Sequence, residues 1–313
     1  MTLGRTAAGL YWMFRDLERC ETSARLLAVG QRIALTQTGR ADDEWASVLA
    51  TFGPNDAFET VKGERTQSNV IDWLLRDPAN PNSVAALVRM ARDNGRETRT
   101  AITRELWEAV NGAYMDMIAR LEAPVSNRDL PDVLRAIREH NAYVRGALHG
   151  TMMRDEHFDF CRIGTYIERA DATARLLDVK YHVLLPSPED VGGTTDAVQW
   201  ETILRVVSGE GGYRMLHGAD VTARNVAEFL IAERRMPRSL AFCMSEICDA
   251  MSYLERSHGE VPSCGRAARL GTSLETADIG AILAGGLHEF LDSFQLDLAQ
   301  LSGGIETDFR FYG

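Results

Sequence analysis

The sequence has no Cys-x-x-Cys pair, and its five cysteines (Cys20, Cys161, Cys243, Cys248 and Cys264) are odd in number. That excludes a fully paired disulfide framework and a thiolate zinc site of ordinary spacing, and it fits a reducing compartment. A free cysteine behaves as a small apolar residue, so core positions are expected for all five. Long apolar runs are missing as well. The opening stretch MTLGRTAAGLYWMFRDLER lacks the apolar core and small-residue cleavage site of a secretory leader. No stretch approaches the about 20 apolar residues that a membrane helix needs. The expected location is the cytoplasm. Positive charge is also scarce, with 34 basic against 45 acidic side chains and a net charge of −11. Such a field repels phosphate backbones and anionic lipid, so neither nucleic acid nor a membrane surface is an expected partner.

Complete catalytic motifs are absent too. There is no Gly-x-x-x-x-Gly-Lys-Ser/Thr, no Gly-x-Gly-x-x-Gly and no Gly-x-Ser-x-Gly, so no common phosphate loop or serine elbow is present. Ser208–Gly212 is glycine-rich without a lysine and reads as a loop between helices. The seven histidines have no ligand spacing. His157, after Asp155 and Glu156, is the one placed to face a site, with a capping or surface role as its plainer reading. A helical di-metal centre needs two Glu-x-x-His pairs, and the chain offers one, Glu255 to His258. No metal ligands are assigned.

What is present is a helical protein of 313 residues, 45% hydrophobic and 25% charged, enough for a substantial core. Apolar residues recur at helical spacing: Ile102, Leu106, Val110 and Met117 form one stripe, and Leu283, Leu287, Phe290, Phe294 and Leu298 another. The second set predicts one long helix near the C-terminus. Ser83 is placed to cap a helix beginning VAALVRM, and 257–273 reads as a loop. No β-branched alternation marks a strand.

The chain also repeats itself. LERCETSARLLAV (17–29) aligns with IERADATARLLDV (167–179) at an offset of 150, and VIDWLLRDPANPNSV (70–84) aligns with VAEFLIAERRMPRSL (226–240) at 156. Between them Trp45 meets Trp200 and Phe58 meets Tyr213. Blocks repeated in order indicate two copies of one unit. The expected fold is therefore an all-α, internally duplicated helical bundle with pseudo-twofold related halves. The copies span 1–150 and 151–313 within one shared body, with a Pro/Gly-rich linker near 186–196.

On the repeated helix, Leu17, Cys20, Ala24 and Leu27 share an arc of roughly 80° at about 100° per residue, and Ile167, Ala170, Ala174 and Leu177 match them. Beside this core stripe stands a column, Glu18, Glu21 and Arg25, with Glu168, Asp171 and Arg175 as its counterpart. Residues three and four apart on a helix are neighbours. Arg19 and Arg169 point about 100° away from the glutamates before them, so Glu-Arg is not a self-contained pair. Three readings stay open: a salt-bridge network tying helices together, two columns facing one polar cavity, or a metal site. In the second, Glu18 and Glu168 would move protons, and Arg19, Arg25, Arg169, Arg175, Glu21 and Asp171 would hold a carboxylate or phosphate.

YWMFRDLERCETSARLL (11–27), GTMMRDEHFDFCRIGTYIERADATARLLDV (150–179), DPANPNSV (77–84) and PRSL (237–240) resemble the alpha-E family, a helical domain with a repeated Glu-Arg motif. The resemblance runs from Leu10 to about Leu254. It implies association with circularly permuted ATP-grasp proteins and often with a transglutaminase-like cysteine peptidase. ATP and Mg would then be bound by a partner, with no cofactor in this chain, and the implied chemistry is amide or peptide bond formation. The expected role is the helical component of such a ligase system, binding its partner or a carboxylate-bearing substrate. A stand-alone small-molecule enzyme and a non-catalytic scaffold remain alternatives. Where relatives show Gly-Arg-Tyr before the motif, this chain has Phe14-Arg15-Asp16 and Gly164-Thr165-Tyr166.

Overall fold

Helical periodicity and local capping account for the regular structure, and among the described residues no strand occurs. The computed structural model describes residues 4–36, 41–52, 56–183 and 194–312. Residues 186–193 of the expected linker lie outside these. The chain forms two compact units, Met1–Thr165 with Phe311–Gly313, and Tyr166–Arg310.

The first unit contains α1 (Gly4–Thr36), α2 (Ala41–Ala50), α3 (Asp56–Lys62), α4 (Gln67–Leu75), α5 (Val84–Glu97), α6 (Arg104–Arg120) and α7 (Leu130–Thr151), and it ends inside α8 (Glu156–Val183). Helix α1 packs along α5 and α7, and α6 packs against both of those. Its stripe, Leu17, Cys20, Ala24 and Leu27, is buried, as is the α6 stripe from Leu106 to Met117. Thr66 and Thr103 cap α4 and α6 through the backbone N–H groups of Asn69 and Leu106. Near the start of α8 a Cβ at Gly164 would run into the Tyr11 carbonyl oxygen, so α1 and α8 meet backbone to backbone there. Phe311 belongs to this unit because its ring packs 5.3 Å from Tyr11 and 6.2 Å from Phe160, centroid to centroid.

The second unit holds the rest of α8, then α9 (Thr194–Val206), α10 (Glu210–His217), α11 (Ala223–Ile231), α12 (Leu240–His258), α13 (Pro262–Glu275), α14 (Ile279–Gly285) and α15 (Leu287–Asp308). Here α13 lies against α12 and α15, and α14 touches α11 and α15. Three local expectations change. The stretch 257–273, expected to be a loop, is mostly α13: only Gly259 (φ +85) and its neighbours break the path, and Pro262 opens a helix that buries Cys264, Ala267, Leu270 and Leu274. Gly211 and Gly212 lie inside α10, with only Val207, Ser208 and Gly209 connecting it to α9. The long C-terminal helix is two, because Gly286 takes φ +109. Its true core stripe is Leu287, Leu291, Phe294, Leu298, Leu301 and Ile305.

Candidate functional site

The Glu-Arg dipeptides split their members between two surroundings. In the first unit Glu18 and Glu21 are buried on α1, and Arg25 lies one turn further on. Arg25 donates to Glu21 Oε1 from Nε at 3.0 Å and Nη2 at 2.7 Å. Arg145 on α7 donates from Nη1 to the other oxygen, Oε2. The same Nη1 lies 3.8 Å from Glu18 Oε2. Two carboxylates thus face two guanidiniums, and Glu21, 1% exposed, uses both oxygens. Charge-assisted bonds of this kind offset the cost of burying the acids.

The space beside this cluster is small. Phe14, Leu17 and Glu18 of α1, Asn141, Val144 and Arg145 of α7, and Thr165 of α8 line a recess of about 10 Å3, the size of a single water. Asn141 spends its amide on the Ile137 carbonyl at 2.9 Å.

In the second unit Glu168 is buried, while Asp171 and Arg175 are more open. Arg175 Nε donates to Asp171 Oδ2 at 2.8 Å, and Gln295 of α15 approaches Asp171 Oδ1 at 3.5 Å. Arg175 is 41% exposed, against 16% for Arg25. Arg145 and Gln295 each lie 124 residues beyond the acid they touch. Neither is singled out by the sequence reading. The offset of 150 relates them, but an arginine facing a glutamine gives no identity to notice.

The motif arginines face elsewhere. Arg19 donates to Asn82 Oδ1 at 2.8 Å, and Arg169, itself buried, donates to the Pro237 carbonyl at 3.3 Å with its guanidinium 5.1 Å from the Tyr166 ring centre. Thr173 donates to the Arg238 carbonyl at 2.8 Å. Both arginines therefore tie a motif helix to the loop before the next long helix, α5 or α12. At those loops Ser239 caps α12 through Phe242 N–H at 3.0 Å and donates to the Glu233 carbonyl. Ser83, expected to cap α5, occupies the N-cap position without a capping bond, its hydroxyl buried and without a hydrogen-bond partner among the described residues.

Other candidates take structural places. Asp155 accepts from the backbone N–H of His157 at 3.0 Å, and the ring of His157 lies beside the same carboxylate. His258 packs edge-on against Phe309. Among the described residues no three His, Cys, Asp or Glu side chains gather as metal ligands would. Burial, reinforced by nearby acids, pushes the Cys248 thiol up to about 11 and Cys264 up to about 12, and raises Cys161 further from nucleophilic use. No helix among the described residues is long and apolar enough to cross a membrane.

The Alpha-E family, described as a predicted alpha-helical domain with a conserved ER motif, matches residues 2–309. This chain belongs to the Alpha-E family. Its two Glu-Arg dipeptides, Glu18-Arg19 and Glu168-Arg169, sit on α1 and α8. An uncharacterized protein of Mycobacterium bovis and another of Mycobacterium tuberculosis are each 22% identical to it over 330 residues. Those matches cover 98% of this chain but 36% of each relative, so the Alpha-E chain spans about a third of the curated relatives it matches. No solved structure matches.

Proposed function

We propose that this Alpha-E protein is the helical, non-catalytic component of an ATP-dependent amide- or peptide-ligase system, acting beside an ATP-grasp partner that binds ATP and Mg. The observation that carries the non-catalytic part is the pairing at Glu21, whose two oxygens are taken by Arg25 and Arg145 beside a recess of about 10 Å3. A carboxylate so engaged accepts three charge-assisted hydrogen bonds, and the recess beside it has room for a single water. The buried column on α1 then serves to fix helices. The more open pair, Asp171 and Arg175, is the place where a carboxylate of substrate or partner can exchange onto a guanidinium. The length of the curated relatives supports a module that works next to further polypeptide.

The same proposal takes the chain as two copies of one helical unit, with the pseudo-twofold relation as part of it. Support comes from the equal 124-residue spacing of the Glu21–Arg145 and Asp171–Gln295 contacts and from the equal 22-residue lengths of α7 and α15.

The test is reconstitution. The chain, a circularly permuted ATP-grasp protein, and both together are given ATP and an amino-acid pool, with ADP release and new amides followed by mass spectrometry. Product from the pair alone is expected, with Arg175→Ala lowering turnover while the melting temperature stays put. Product from this chain by itself would establish the stand-alone enzyme instead, and a pair no more active than the ATP-grasp protein would remove the partnership.

A further inference from the structure

Two side-chain contacts join α8 to α15 in the second unit. Asp171 meets Gln295 and Asp178 meets His288, seven residues apart on each helix and in opposite order, so the helices run antiparallel. The second contact is the closer, with His288 Nδ1 2.6 Å from Asp178 Oδ1. It stands in the first turn of α15, two residues after Gly286, whose φ of +109 turns the chain out of α14. A cation at a helix N-terminus works against the helix dipole, so it is the neighbouring acids that favour protonation here.

Among the described residues, Asp178 from α8 and Glu289 and Asp292 from its own helix bear on His288. Arg175, a turn before Asp178, is engaged by Asp171. Helix α14 has no charged residue. Helix α13 meets α15 toward its other end, through Ser263 N–H to Asp308 and Arg266 to the Gln300 carbonyl. The hydrogen bond to Asp178 holds the imidazole pKa above its ordinary value, and burial opposes this only in part.

We propose that His288 and Asp178 form a pH-sensitive clasp that fastens the first turn of α15 to α8 when the imidazole is protonated and loosens the α14–α15 corner when it is not. A neutral imidazole can keep one hydrogen bond to Asp178, but the coulombic attraction between imidazolium and carboxylate is lost. Because the folded-state pKa is raised, the clasp's stabilisation is complete below the unfolded histidine value of about 6.5 and is lost as pH rises through the folded value.

The proposal is read by NMR titration of the His288 ring together with amide hydrogen exchange across residues 279–291, corrected for the intrinsic pH dependence of exchange. The expected result is a midpoint above that of an ordinary histidine, with protection in the first turn of α15 falling about tenfold across it, as local opening allows. Asp178→Asn should lower the midpoint and abolish the step, and His288→Gln, which does not titrate, should show no step. A His288 midpoint at or below the ordinary value overturns the clasp, as does a step that persists in either variant.

Discussion

Two charged columns with the same spacing meet different fates. On α1, Glu21 is sealed between Arg25 and Arg145, and the whole group is mostly buried. On α8, Asp171 holds only a half-exposed Arg175 and a distant Gln295. The surroundings differ in the same sense: the first unit has 23 acidic and 21 basic residues, the second 22 and 13. A helix supplies a ladder of charges, but the helix packed across from it decides whether the ladder becomes a closed network or an open pair. An arginine at 145 closes the first, and a glutamine at 295 leaves the second open.

The sharpest way to break this contrast is to remove the acid in each unit. Glu21→Ala strands two guanidiniums and should cost about 3 kcal/mol in urea unfolding, the low end for a broken buried pair because both arginines keep some water. Asp171→Ala should cost under about 1 kcal/mol, as an exposed pair does; equal losses would erase the distinction. Next comes the glycine that stands where α1 has Phe14. Gly164→Val should lower stability by about 2–3 kcal/mol through its clash with Tyr11, whereas Gly146→Ala, with open space around it, should raise the melting point slightly. The loop serines sharpen the comparison further. Ser239→Ala should cost about 1 kcal/mol as a lost cap, and Ser83→Ala close to nothing, since its hydroxyl has no bond to lose.

The smallest effect concerns Glu233, which the Arg235 side chain and backbone hold down to about 2 against some desolvation. With a depressed folded-state pKa, its contribution is present above the unfolded value of about 4.3 and is lost as pH falls toward the folded one. Arg235→Ala should bring the carboxyl titration back toward the ordinary range, as followed by NMR.

Much of this architecture was legible in the chain. Leu17, Cys20, Ala24 and Leu27, and their counterparts Ile167, Ala170, Ala174 and Leu177, form buried stripes because helical spacing puts small and apolar residues on one face. The divergence of Arg19 and Arg169 from their glutamates followed from the angle between adjacent helical residues. Less was legible at breaks. Gly286 and Gly259 leave helical geometry, while Gly211, Gly212 and Gly265 stay within helices, and composition does not separate these cases because glycine permits both.

The sequence by itself determined the helical class, the core faces and which charges stand in one column, since all of these depend on residues a few positions apart along one helix. Only the tertiary structure decided that Arg145 completes the cluster at Glu21 and that Asn82 and the Pro237 carbonyl receive the motif arginines. These outcomes depend on which helices pack together across more than sixty residues of chain, and local periodicity carries no information over that distance.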